Sequence, residues 1–94
     1  MPPGSYDPKF QLGRLCATPN ALSQTNQRDI DEALSRHIRG DWGDVCKEDW
    51  EANEQALVDG TRLLSVYRSE SGAKFWIITE ADRSITTILM PEDY

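Results

Sequence analysis

The sequence predicts an α+β fold in which two main helices pack on one face of a three- to four-stranded antiparallel sheet. Three observations carry that prediction. Two segments in the middle of the chain repeat apolar residues at helical spacing, the last third alternates at strand spacing, and short turns join the strands of that last third. The chain has 94 residues. A domain of this size buries roughly 60–65% of the surface its unfolded chain exposes, enough for one core but with little room for a deep substrate cleft.

The elements follow in order. Residues 1–8 (MPPGSYDP) are rich in Pro and Gly and read as a flexible tail, leaving 9–94 as a single domain. Lys9 to Ala17 reads as a short edge strand, with Phe10 and Leu12 on one face and Leu15 on the other. Thr18-Pro19 is a helix start, Thr as N-cap and Pro at the first helical position, followed by at most a turn or two of helix. The first long helix spans about Gln27 to Arg39. Its stripe of Ile30, Ala33, Leu34, His37 and Ile38 follows the i, i+3, i+4, i+7, i+8 rule, Thr25 or Asn26 can cap it, and Gly40 ends it. The connector Gly40-Asp41-Trp42-Gly43 leads to a second helix from about Val45 to Asp59, capped by Asp44 and closed by Gly60. Its apolar residues are Val45, Cys46, Trp50, Ala56 and Leu57, with Asn53 on the same side. Three strands complete the chain: Thr61–Arg68, Lys74–Glu80 and Ile85–Met90. They form an antiparallel meander whose apolar face the helices cover.

Charge is the most distinctive property. The chain has 16 acids and 10 bases, a net charge of −6. Residues 41–59 hold seven of the acids and one base, a segment charge of −6, so the other nine acids and nine bases cancel. The pI is about 4.6 and the mean hydropathy −0.60. This balance disfavours direct nucleic-acid binding, which runs on Lys and Arg displacing counterions, and favours a partner with a basic surface. No apolar run has the length of a membrane span, and no basic segment precedes an apolar one at the N-terminus, so the expected location is the bacterial cytoplasm. The two cysteines, Cys16 and Cys46, fit no zinc spacing, the acids match no EF-hand loop, and nucleotide-binding glycine motifs are absent; no metal and no cofactor are expected.

Three segments carry a family resemblance: Thr18-Pro19-Asn20-Ala21-Leu22, His37-Ile38-Arg39-Gly40-Asp41-Trp42-Gly43, and the run from Trp76 to Thr87 (WIITEADRSITT). Over about residues 10–94 the chain resembles a family of small bacterial proteins carried on plasmids, integrative elements and phages. Members bear the labels "plasmid-related protein" or "type I restriction endonuclease subunit M". The resemblance implies a mobile-element setting. The methyltransferase label fails on chemistry, because such an enzyme needs a doubly wound sheet with a glycine-rich first turn, for which this chain lacks both motif and length.

Two candidate sites result. In the first, Asp41, Asp44, Glu48, Asp49, Glu51 and Glu54 form an acidic recognition surface with Trp42 and Trp50 as apolar anchors. Carboxylates along a helix imitate a row of phosphates and suit the basic groove of a nuclease. The expected function is then a non-enzymatic accessory protein of a mobile element, an inhibitor of a DNA-targeting defence system of the anti-restriction or anti-CRISPR kind. The competing structural reading is a solvated face that keeps a small protein soluble. In the second, helices followed by a meander resemble the barnase–EndoU–colicin–RelE group of small, metal-independent RNases. His37, Arg68, Arg83 and Thr86 would supply base, cations and hydroxyl there, with Tyr67, Thr79 and Thr87 nearby. For His37, the only histidine, the competing reading is a half-buried residue bonded to the Gly40–Gly43 connector. A third reading is a subunit that assembles only with itself.

Overall fold

The computed structural model describes residues 8–94. The expected tail falls outside them except for Pro8, which is exposed. The elements are β1 (Arg14–Ala17), α1 (Pro19–Gln24), α2 (Gln27–Ile38), α3 (Lys47–Asp59), β2 (Leu63–Arg68), β3 (Lys74–Thr79) and β4 (Ile85–Leu89), followed by one 3-10 turn at Pro91–Asp93.

The α+β class and the meander stand as expected, with one correction to the sheet. The strand order is β1-β4-β3-β2, and β1 runs parallel to β4, so the sheet is mixed. The reason lies just before β1. The Lys9 N–H donates to Ile38 O at the end of α2 (2.8 Å), and the Arg14 N–H to Ser84 O (2.8 Å). The chain therefore enters the sheet beside the start of β4 and must run alongside it. Residues 9–13 are not strand, which shortens the expected element from its N-terminal side. Gly13 makes the turn at φ 66°; a Cβ there would lie 2.4 Å from the Ser84 backbone, so the close approach of the two segments requires glycine.

The helices follow their local signals. The Thr18 side chain accepts from the Ala21 N–H (3.0 Å), and Pro19 opens α1. Asn26, not Thr25, caps α2: its side chain accepts from the Asp29 N–H (2.8 Å) while Asp29 accepts from the Asn26 N–H (3.0 Å), a reciprocal box that contributes about 1 kcal/mol. α3 begins at Lys47, two residues later than expected. Cys46 occupies the cap position without a side-chain bond. Asp44 is drawn away to the sheet instead, where its N–H donates to Val66 O (2.8 Å).

The register assigns each strand residue to a face. Leu63, Ser65 and Tyr67 pair with Thr79, Ile77 and Phe75, and Ile77 and Thr79 pair with Ile88 and Thr86. This inner face meets α1 and α2 through Ala21, Ile30 and Ala33, and a second cluster joins Leu63 to Trp42 and Ala56 of the α3 side. The free edge of β2 is closed from within the chain. The Asn53 amide donates to Leu64 O (2.7 Å) and accepts from the Leu64 N–H (3.1 Å), imitating a neighbouring strand. One residue pair further along, Val66 exchanges backbone bonds with Trp42 O and the Asp44 N–H. Masking an edge in this way removes a template for aggregation.

Candidate functional site

The acidic segment divides into two groups. Asp41 and Asp44 lie in the connector, where arginines of the same chain meet them. Arg36 donates to Asp41 through Nε (2.8 Å) and Nη2 (3.3 Å), and Arg68 Nε donates to Asp44 (3.3 Å). The bond from Arg36 holds the Asp41 carboxyl below its ordinary range and raises the Arg36 guanidinium in turn. Both pairs are substantially exposed and therefore screened, so neither dominates stability. Glu54 accepts from Trp42 Nε1 (2.8 Å). Three of the six expected recognition carboxylates are thus already engaged by their own chain.

The other three are free. Glu48, Asp49 and Glu51 are exposed on α3, and among the described residues no ion pair involves them. Glu48 and Asp49 stand in the first turn, where they complement the positive end of the helix. Glu51, Glu54 and Val58, at three- and four-residue spacing, form one outward stripe, and Val58 is 80% exposed. The two expected anchors separate. Trp50 remains at the surface, 36% exposed, whereas Trp42 is fully buried. Trp42 stacks on Phe10 (ring centres 6.2 Å) and meets His37 edge-on (5.6 Å). Its role as a surface anchor is corrected: packing between α2, α3 and β2 claims the ring.

The structure does bring His37, Thr79 and Thr86 together, but in the core. All three are 0% exposed. His37 Nδ1 lies 2.5 Å from Ser65 Oγ and Nε2 lies 2.9 Å from Thr79 Oγ1, which lies 2.7 Å from Thr86 Oγ1. The Thr86 hydroxyl donates to Leu12 O (2.7 Å). Each hydroxyl has one proton, so that last bond orders the row. Thr79 must donate to Thr86, the Nε2–H of His37 must donate to Thr79, and Ser65 must donate to Nδ1. His37 is therefore the neutral Nε2–H tautomer with both nitrogens engaged. Burial, aided by the charge of Arg83, lowers its pKa to about 3. This network takes both ring nitrogens; the connector contributes the edge-on Trp42 ring and a backbone bond, Gly40 N–H to His37 O (3.1 Å).

The remaining members of the RNase set do not complete a site. Arg83, at φ 62°, is a structural clasp: its guanidinium donates to the carbonyls of Thr61 (2.6 Å), Glu80 (3.2 Å) and Ala56 (3.1 Å) and lies 5.7 Å from the Phe10 ring centre. It thereby ties the β3–β4 turn to the end of α3, where Ala56 O also accepts from the Gly60 N–H (2.9 Å). Arg68 is exposed beside Asp44, and Thr87 lies on the opposite sheet face from Thr86. The Tyr67 hydroxyl donates to Asp41 O (2.6 Å), and burial raises its pKa. A buried base with no free nitrogen cannot reach a ribose hydroxyl, so the catalytic assignment of His37, Arg68, Arg83 and Thr86 is corrected to a structural one. Between α2 and the sheet, the small cleft lined by Asp29, Glu32, Arg36, Tyr67 and Arg68 has a volume of about 40 Å³, near that of a water molecule.

Sequence reasoning missed Ser65 and Val58, and it placed Asn53 on the packed side of its helix without its bonds to Leu64. Ser65 had a signal, as a polar residue between Leu63 and Tyr67 on the buried side of the alternation. Among the described residues no group of three or more His, Cys, Asp or Glu could hold a metal ion, and no helix is long and apolar enough to cross a membrane. Compared with protein-family models, curated proteins and solved structures, the chain finds no match.

Proposed function

We propose that this is a non-enzymatic accessory protein of a mobile genetic element, acting in the cytoplasm by capturing a protein with a basic surface. The best candidate partner is a DNA-targeting nuclease of a restriction or CRISPR system, whose phosphate-binding groove has the required charge. The observation that supports this reading is the outward side of α3. It carries Glu51 on one stripe with Val58, and the first turn adds the exposed Glu48 and Asp49 next to Trp50; among the described residues none of the three carboxylates is in an ion pair. A fixed helix presents these charges without an ordering cost on binding, and an apolar group among them supplies desolvated contact. Asp41, Asp44, Trp42 and Glu54 shape the base of the helix rather than the contact.

The test is capture from lysates of cells that carry defined restriction and CRISPR systems. The triple variant Glu48→Lys, Asp49→Lys, Glu51→Lys alters only exposed side chains, and its circular dichroism spectrum checks that the fold is kept. It is expected to lose a nuclease that the wild type retains, whereas Asp44→Asn is expected to keep it. Equal recovery of the nuclease by the triple variant would remove the proposal.

A further inference from the structure

The two edges of the sheet differ. Asn53 and the connector residues 42–44 close the edge of β2, whereas no bond among the described residues closes the edge of β1. Backbone groups alternate in direction along a strand. The Arg14 and Thr18 N–H groups donate to Ser84 O (2.8 Å) and Ile88 O (3.0 Å), so the even-numbered residues of β1 turn their backbone to β4. The N–H and C=O of Leu15 and Ala17 therefore point away from the sheet. Arg14 and Cys16 are exposed, and Leu15 is 50% exposed although it shares the helix side of the sheet with Thr86. Unpaired donors and acceptors beside an uncovered apolar side chain form a template for one more strand.

Charge selects the occupant. Arg14 opens β1 and has no carboxylate partner among the described residues. At the far end of the strand the Thr18 hydroxyl donates to Asp93 (2.6 Å), and the Asn20 amide donates to Asp93 and to Glu92 (3.3 Å each). Neither carboxylate meets a cation among the described residues. A strand with a lone cation at its start and lone anions at its end is complementary to its own reverse. We propose that β1 pairs antiparallel with β1 of a second copy, about a two-fold axis through Cys16, joining two four-stranded sheets into one. Leu15 of each copy then exchanges N–H···O bonds with Ala17 of the other. Arg14 lies opposite Thr18 of the second copy, within reach of that copy's Asp93 and Glu92. Cys16 faces Cys16 at a non-hydrogen-bonded position, where Cα atoms stand about 4.5 Å apart. The acidic helices do not oppose this pairing, because α3 is bonded to β2 at the far edge of each sheet. β2 and its copy lie about 34 Å apart at ~4.8 Å per strand, several times the ~8 Å screening length at physiological salt. Closed two-fold pairing is the commonest form of oligomer, and a strand this short makes the dimer weak. The assembly leaves the carboxylates of α3 open.

Sedimentation equilibrium and amide hydrogen exchange over a wide concentration range test this. The wild type is expected to pass from monomer to dimer. The Leu15 and Ala17 amides are expected to slow about tenfold once about nine-tenths of the chains are paired, whereas those of Cys16 and Thr18 are protected throughout by β4. Diamide, which takes two electrons and two protons from a pair of thiols, is expected to link Cys16 to Cys16 in the dimer. Cys16→Ser should abolish that link and Cys46→Ser should keep it. Leu15→Lys sets a charge on the open edge and is expected to stay monomeric. Should that variant fail to fold, Arg14→Glu changes an exposed side chain and is expected to weaken the dimer by about tenfold, through repulsion from Asp93 and Glu92. Glu48→Lys with Glu51→Lys is expected to leave the dimer intact, which separates this assembly from partner capture by α3. A wild type that stays monomeric throughout, a dimer whose Leu15 and Ala17 amides still exchange freely, or one that forms no Cys16 link overturns the proposal.

Discussion

Mild acid should destabilise this protein through His37. His37 is 0% exposed and its pKa is lowered from 6.5 to about 3, chiefly by burial and secondarily by the charge of Arg83. The unfolded chain therefore takes up a proton at pH values where the folded chain refuses it. The stability held above pH 6.5 falls as the pH drops below that value, and the loss ends only near the folded pKa. The slope is about 1.4 kcal/mol per pH unit, so pH 4.5 costs about 3 kcal/mol and the full window roughly 5 kcal/mol. That is a large share of the ~5–15 kcal/mol that holds a domain of this kind together. The window is clean, because His37 is the only histidine and Asp41, lowered from 3.8, loses its contribution only below that value. Urea unfolding at steps between pH 7 and pH 4.5 measures the slope, and nitrogen-15 spectra of the imidazole report its protonation and tautomer directly. His37→Gln should be less stable at pH 7 and should flatten the slope in this window. A wild-type stability that is level from pH 6.5 to pH 4.5, or an imidazole titrating near 6.5 in the Nδ1–H form, would refute the account of the buried network.

Two further predictions concern the edge of β2. Asn53→Ala leaves the Leu64 N–H and C=O without their partner and should cost about 2–3 kcal/mol in chemical denaturation, with no change in net charge. Gly43→Ala places a Cβ 2.0 Å from Val66 O at a backbone φ of 77°. Neither the carbonyl nor the Tyr67 ring beside it can yield, so the variant should lose more than about 3 kcal/mol or fail to accumulate as folded protein, read by soluble yield and thermal melt.

The elements most legible in the sequence are those set by short-range rules. The period of Ile30, Ala33 and His37 marked α2 to within one residue, and Pro19 marked α1 because its fixed backbone angle suits a first helical turn. Leu63 and Tyr67 alternate in sequence with Leu64 and Val66, and the register sets the two pairs on opposite faces of β2. The failures share a cause. Asp44 was an adequate cap by local preference, but the open edge of β2 competes for its backbone and takes it, delaying α3 until Lys47. Phe10 and Leu12 alternate like strand residues, but an aromatic pocket formed by His37 and Trp42 holds Phe10, and strand pairing begins only after Gly13.

Composition and periodicity alone determined the α+β class, the order of helices and strands, and the confinement of the charge excess to residues 41–59, because each depends on neighbours a few positions apart. Which carboxylates remain available was a tertiary decision. Asp44 is neutralised by an arginine 24 positions away, and Glu54 holds an indole 12 positions away. His37 passed from a candidate base to a neutral strut because Ser65 and Thr79, 28 and 42 positions further along, close over both its nitrogens. Ionisation follows from burial and from partners in space, and those partners meet only once the sheet has formed.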